Sequence, residues 1–98
     1  MVRINWTNLA VDDLKNIAEY TVAKYSVAQG KTVINAIRLK VETLKTVNIG
    51  GTIDGIKDDS IRQIPEGLYK IIYKTISPEQ IDILTVYETT GFNKRNVF

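Results

Sequence analysis

IRQIPEGLYKIIYK, residues 61–74, alternates apolar and polar side chains on both sides of a glycine. A period of two marks a strand that buries one face. Within residues 68–76, Tyr69, Ile71 and Tyr73 share one face, and Lys70, Ile72 and Lys74 share the other. An arginine and two lysines around the most strand-like segment answer no need of a core. Downstream, Ser77-Pro78-Glu79-Gln80 places proline at the second position of a turn, and alternation resumes from Gln80 to Tyr87. A hairpin of two long strands is predicted. Upstream, a shorter strand is expected at about residues 60–64, after a polar loop, GGTIDGIKDDS, at residues 50–60.

The front of the chain has a different rhythm. Val2, Ile4 and Trp6 alternate with Arg3 and Asn5, which predicts a short strand. From about Asn8 the spacing becomes helical, with Ala10, Leu14, Ile17, Ala18 and Tyr25 near one face. Asp12 and Asp13 fall in the early turns, where carboxylates suit the helix dipole. Ser26-Val27-Ala28-Gln29 has the form of a capping box opening a second helix. Its seam is Gly30, Val33, Ile37, Val41 and Leu44. Glycine weakens a helix, so Gly30 predicts a close crossing with the first one. Asn48, Gly50 and Gly51 end the pattern. Two antiparallel helices between about residues 8 and 47, joined at Tyr25–Ser26, follow. One helical hairpin covers one face of a small sheet. The tyrosine face therefore packs on the helices and the lysine face stays open, in a single α+β domain spanning residues 1–98.

Composition sets further bounds. Ninety-eight residues suit one core, and a net charge of +2 permits a polyanionic partner without arguing for one. The chain has no cysteine, hence no disulfide or thiolate metal site, and no histidine, the usual general base and commonest metal ligand. No cofactor or metal is expected. No apolar run approaches the roughly 20 residues of a membrane span. The opening MVRINWTN lacks a signal-peptide core. A soluble, cytoplasmic protein is the expectation.

The pattern Arg62-x-Ile64-x-x-Gly67-x-Tyr69-x-Ile71-x-Tyr73, followed by Ile81-x-Ile83-Leu84-x-Val86, resembles the RelE/ParE toxin superfamily of bacterial toxin–antitoxin modules. The front, IxWTxxAxxDLxxIxxY from Ile4 to Tyr20, is similar to the opening of those toxins. The resemblance covers nearly the whole chain. It implies a two-helix hairpin on a small antiparallel sheet, and a toxin neutralised by a cognate acidic antitoxin that wraps it. RelE-type members cut messenger RNA in the ribosome, whereas ParE-type members inhibit DNA gyrase.

Attack of a 2′-hydroxyl on phosphate needs a base, an acid and cations. If the chain were RelE-like, the catalytic candidates would be Arg62, Lys70 and Tyr87. Lys70 stands where those toxins carry an arginine after Gly-Tyr, and lysine lacks the bidentate fork. Their later arginine has no equivalent in Tyr87-Glu88-Thr89-Thr90, where Thr89 is the best match. Their terminal tyrosine has none either, since the late aromatics are Phe92 and Phe98. Glu88 adds negative charge where a phosphate would come. The ParE strand, R-x-L-x-x-G-x-[HY]-x-I-x-Y, corresponds without gaps. The last strand departs from that branch in following Val86 directly with Tyr87 and Glu88, and so does the ending GFNKRNVF. The resemblance thus favours a ParE-like gyrase inhibitor over an enzyme and leaves enzyme activity open. A RelE-like ribosome-dependent endoribonuclease, or an inactive or differently targeted homologue, is the alternative.

The open sheet face is the expected partner site, with Arg62, Lys70, Ile72, Leu84 and Tyr87, joined by Lys94 and Arg95 of the tail. An antitoxin segment would lay apolar residues on Ile72 and Leu84 and acids beside Arg62 and Lys70. Plainer readings stand beside these. Arg62 would pair with Asp58 or Asp59, Lys74 would be a solvated strand residue, Trp6 and Tyr73 would be core, and the charged tail would be solvated.

Overall fold

Thr7 joins the first strand to the first helix and ties both to the far end of the chain. Its hydroxyl accepts from the Ala10 amide at 3.3 Å, capping the helix, and donates to the Ile83 carbonyl at 2.6 Å. In the computed structural model, which describes residues 1–89, strand β1 (Arg3–Trp6) leads into helices α1 (Asn8–Lys24) and α2 (Val27–Glu42). A 3₁₀ turn, Thr43–Lys45, extends α2. Then come β2 (Gly51–Thr52), β3 (Ile61–Glu66), β4 (Tyr69–Ser77) and β5 (Gln80–Glu88). The five strands form one sheet in the order β1-β5-β4-β3-β2, with the helical hairpin on one face.

Ser26 caps α2 by accepting from the Gln29 amide at 3.0 Å. A Cβ on Gly30 would lie 2.7 Å from Val22 Cγ2 and 3.6 Å from the Ala18 carbonyl, so the expected close crossing is present. Gly67 turns β3 into β4 with φ +59°, and Leu68 keeps a negative φ, the pattern of a two-residue hairpin with glycine first. Ala10, Ile37, Val41 and Leu44 from the helical side meet Ile64, Ile71, Tyr73, Ile81, Ile83 and Val86 from the sheet. Each such side chain contributes about 1.5–3 kcal/mol by leaving water. Tyr69, Trp6 and Ile4 pack partly buried against this cluster.

Four details differ from the expected antiparallel sheet. β1 runs parallel to β5, pairing Ile4 with Ile81 and Trp6 with Ile83, because the whole chain intervenes as the crossover. β2, within the polar loop, pairs only with Gln63 and Arg62. β3 continues through Pro65 to Glu66, which proline permits because β2 no longer runs alongside. In β5 the ladder slips: Thr85 pairs with Ile72 but Ile83 pairs with Tyr73, leaving Leu84 as an extra residue. Among the described residues no helix is long and apolar enough to cross a membrane.

Candidate partner-binding site

On the face away from the helices, β4 places Lys70 between Pro65 of β3 and Tyr87 of β5. Lys70 and Tyr87 are both half-buried, so a cationic and a phenolic group stand side by side on a surface that meets solvent. Lys74 approaches Asp58 at 3.5 Å, an exposed pair that solvent screens. Ser60 donates to the same carboxylate from its amide at 2.9 Å and from its hydroxyl. Those Ser60 bonds, and secondarily Lys74, hold the Asp58 carboxyl below its ordinary value.

One expected member of this surface is placed differently. Ile72 is 1% exposed, so it offers no apolar area to a partner. It sits in the middle strand, with Gln63 and Thr85 across the ladders and the long stems of Lys70 and Lys74 two residues to either side. Leu84 is half-buried at the slip in β5 and has no cross-strand partner in β4. Lys94 and Arg95 lie outside the described residues.

Arg62 is the larger correction. It pairs with Tyr73, and so lies on the helix side of the sheet rather than beside Lys70. Period two requires this, since Arg62 is two residues from the core residue Ile64. Its guanidinium donates to the Gly50 carbonyl at 2.9 Å and to the Asp59 carbonyl at 3.1 Å, tying together the loops before β2 and before β3. Neither Asp58 nor Asp59 offers it a carboxylate; the acceptors are backbone carbonyls. Tyr73 completes the joint. Its hydroxyl accepts from the Gly50 amide at 2.9 Å and donates to the Asn48 side chain, whose amide nitrogen donates to Thr75 Oγ1 at 3.0 Å. A Cβ on Gly50 would stand 2.1 Å from that hydroxyl, so the approach requires glycine. Burial raises the Tyr73 phenol above its ordinary value, against smaller opposing contributions from the Gly50 amide and Arg62.

Asp13 proves to be more than an early-turn carboxylate. It is buried on α1, accepts from the Thr85 hydroxyl, and accepts from the Val86 amide at 3.1 Å. β1 stops beside Ile83, so from there the edge of β5 has no strand neighbour among the described residues, and a helix carboxylate takes its amide. Sequence carried only a faint signal: Asp13 breaks the solvent-facing pattern by standing next to Leu14 and three residues from Ala10.

A second surface went unread in the sequence because its walls come from distant segments. A groove of about 350 Å³ runs between the closed end of the helical hairpin and the β3–β4 turn. Tyr20, Tyr25, Val33 and Ile37 line one side, and Leu68 and Tyr69 the other. Tyr20, Tyr25 and Leu68 are 54%, 65% and 54% exposed, which is unusual for large apolar side chains gathered together. Lys24 Nζ lies 5.4 Å from the Tyr20 ring centre and 5.6 Å from that of Tyr25, and donates to the Tyr20 hydroxyl at 3.0 Å. That hydrogen bond is the main reason its pKa is raised. Across the groove the register sets Tyr69 between Glu66 and Glu88, so this rim is acidic. Burial chiefly raises the Tyr69 phenol, and the Glu88 charge adds to it.

Comparison with known proteins agrees with this architecture. A solved structure described as the chromosomal ParDE TA system from P. aeruginosa superposes with a TM-score of 0.75, covering 90% of this chain and 96% of that one. At 19% sequence identity the likeness is one of fold. No curated protein sequence matches this chain. The family described as the ParE toxin of the type II toxin–antitoxin system parDE matches residues 4–90. A strand, a helical hairpin and a sheet in that order, matched almost end to end, place this chain in the ParE toxin family of type II toxin–antitoxin systems.

Proposed function

We propose that this toxin acts as a ParE-type inhibitor of DNA gyrase, stabilises the replicon that carries it, and is neutralised by a cognate acidic antitoxin in the cytoplasm. The observation that favours binding over RNA cleavage is the separation of the three catalytic candidates. Lys70 and Tyr87 are cross-strand neighbours on the open face, whereas Arg62 is on the opposite side, engaged with two backbone carbonyls. Phosphoryl chemistry needs its base, acid and cations around one phosphate. A lysine and a tyrosine without the arginine make a docking surface more readily than a nuclease site. The antitoxin would bring acidic residues to Lys70 and apolar ones against the Tyr87 ring.

Two assays on the purified protein test this. In a supercoiling reaction with gyrase, relaxed plasmid and ATP, the toxin should block supercoiling. In a translating extract, primer extension should show no codon-positioned cuts in messenger RNA. Undiminished supercoiling, together with A-site cuts that vanish in Lys70→Ala, would instead make it a ribosome-dependent endoribonuclease.

A further inference from the structure

We propose that the outer edge of β1 is a self-association site, where a second copy of this chain adds its own β1 in antiparallel alignment about a two-fold axis. This goes beyond the choice of target and does not depend on it. Backbone direction is the first argument. The Arg3 and Thr7 amides donate to the Glu79 and Ile83 carbonyls at 2.8 Å and 3.2 Å, so the odd-numbered residues of β1 face β5. Period two then turns the amides and carbonyls of Ile4 and Trp6 outward. β1 ends the sheet, and no strand lies beyond it among the described residues. Arg3 and Asn5 do not shield this edge, because their side chains reach inward over β5, donating to Gln80 at 3.2 Å and to Asp82 at 3.1 Å. The opposite end of the sheet is protected. There the Ser60 carbonyl accepts from the Thr75 amide, which sets Ile64 toward β4 and Pro65 outward, where it has no N–H to offer.

Self-complementarity is the second argument, and it selects the occupant. Alignment centred on Ile4 sets Val2 against Trp6 of the second copy and Ile4 against its own equivalent, each pair exchanging two backbone hydrogen bonds. On the helix side these side chains are apolar and half-buried, so the pairing removes more of them from water. On the other side the same register sets Arg3 against Asn5 of the second copy, with no like charges opposed. Moving the axis to Arg3 brings two arginines face to face, and moving it to Asn5 leaves Val2 without a strand residue opposite. One register is therefore favoured. The contact is isologous and closes at two copies. An unrelated extended peptide would gain the backbone bonds without this match of side chains.

So short a contact belongs at the weak end of interfaces, and sedimentation equilibrium of the full chain should show monomer and dimer exchanging between about 10 μM and about 1 mM. Over that range, amide exchange followed by NMR should slow at least about fivefold at Ile4 and Trp6, while Arg3 and Asn5, bonded to β5, stay unchanged. Asn5 is exposed, so replacing it leaves the core intact. Asn5→Lys sets a cation against Arg3 on both sides of the axis and should weaken the dimer by about three- to tenfold, whereas Asn5→Glu should tighten it by a similar factor. Circular dichroism melts show whether each variant is folded. A chain that stays monomeric throughout, a dimer in which Ile4 and Trp6 exchange as fast as in the monomer, or equal affinity in the two Asn5 variants would each overturn the proposal. Protection of those amides at every concentration would overturn it too, by giving the edge to a segment of the same chain.

Discussion

Replacing Tyr73 with phenylalanine removes one oxygen and leaves the ring in its fully buried place. No cavity term arises, so the change isolates the joint between the loop before β2 and the sheet. Two hydrogen bonds are lost, from the Gly50 amide at 2.9 Å and to the Asn48 side chain. Gly50 is buried, so its amide is left without an acceptor, which costs about 1–3 kcal/mol. Asn48 is exposed and regains water, so its share is under about 1 kcal/mol. The sum is about 2 kcal/mol, a large part of the roughly 5–15 kcal/mol that holds a domain together. For a domain of this length that corresponds to a fall in Tm of roughly 8–16 °C. Urea melts followed by circular dichroism, at unchanged m, measure it. Asn48→Ala and the double variant complete a cycle in which the coupling should be about 0.5 kcal/mol or more. A Tyr73→Phe protein within about 0.5 kcal/mol of wild type would refute the claim that this hydroxyl pins the loop.

Arg62→Ala should cost about 1.5–3 kcal/mol in the same melts, because two carbonyls lose a charged donor; a neutral result would return Arg62 to the list of partner-binding residues. Asp13→Ala should destabilise by about 2–3 kcal/mol, since the Val86 amide and Thr85 hydroxyl lose a buried carboxylate; full stability would mean that water replaces it. Burial raises the Tyr73 and Tyr69 phenols, so their contribution is complete below the ordinary tyrosine value of 10.0 and is lost as pH rises from there through the folded values. Urea midpoints should therefore fall on the alkaline side, less steeply in Tyr73→Phe, and identical pH profiles would contradict the assignment. Lys70→Glu should leave the melt unchanged, yet weaken the cognate antitoxin by more than about fivefold in titration calorimetry, as like charges meet. Affinity within twofold would remove Lys70 from the interface.

Local pattern sufficed for the elements. The periods of two and 3.6, the Ser26 cap, Gly30 and the turn at Ser77–Gln80 are each dictated by neighbours in the chain, and each stands where the sequence predicts. The same is true of the Tyr69, Ile71 and Tyr73 face, because a strand in contact with a helical layer admits one apolar side. Arg62 was legible by the same rule. Its spacing from Ile64 places it on the helix side, and only its charge suggested otherwise. What tertiary structure decided is whatever depends on register between distant segments. The slip that sets Leu84 apart, the burial of Ile72 under its flanking strands, and the joint of Gly50, Arg62 and Tyr73 need three or more segments aligned at once. Asp13 reaches an edge created only when β1 stops beside Ile83, and the groove exists only where the hairpin's end overhangs the β3–β4 turn. Side-chain alternation is a property of one strand. A partner surface is a property of several, and its members share no spacing along the chain.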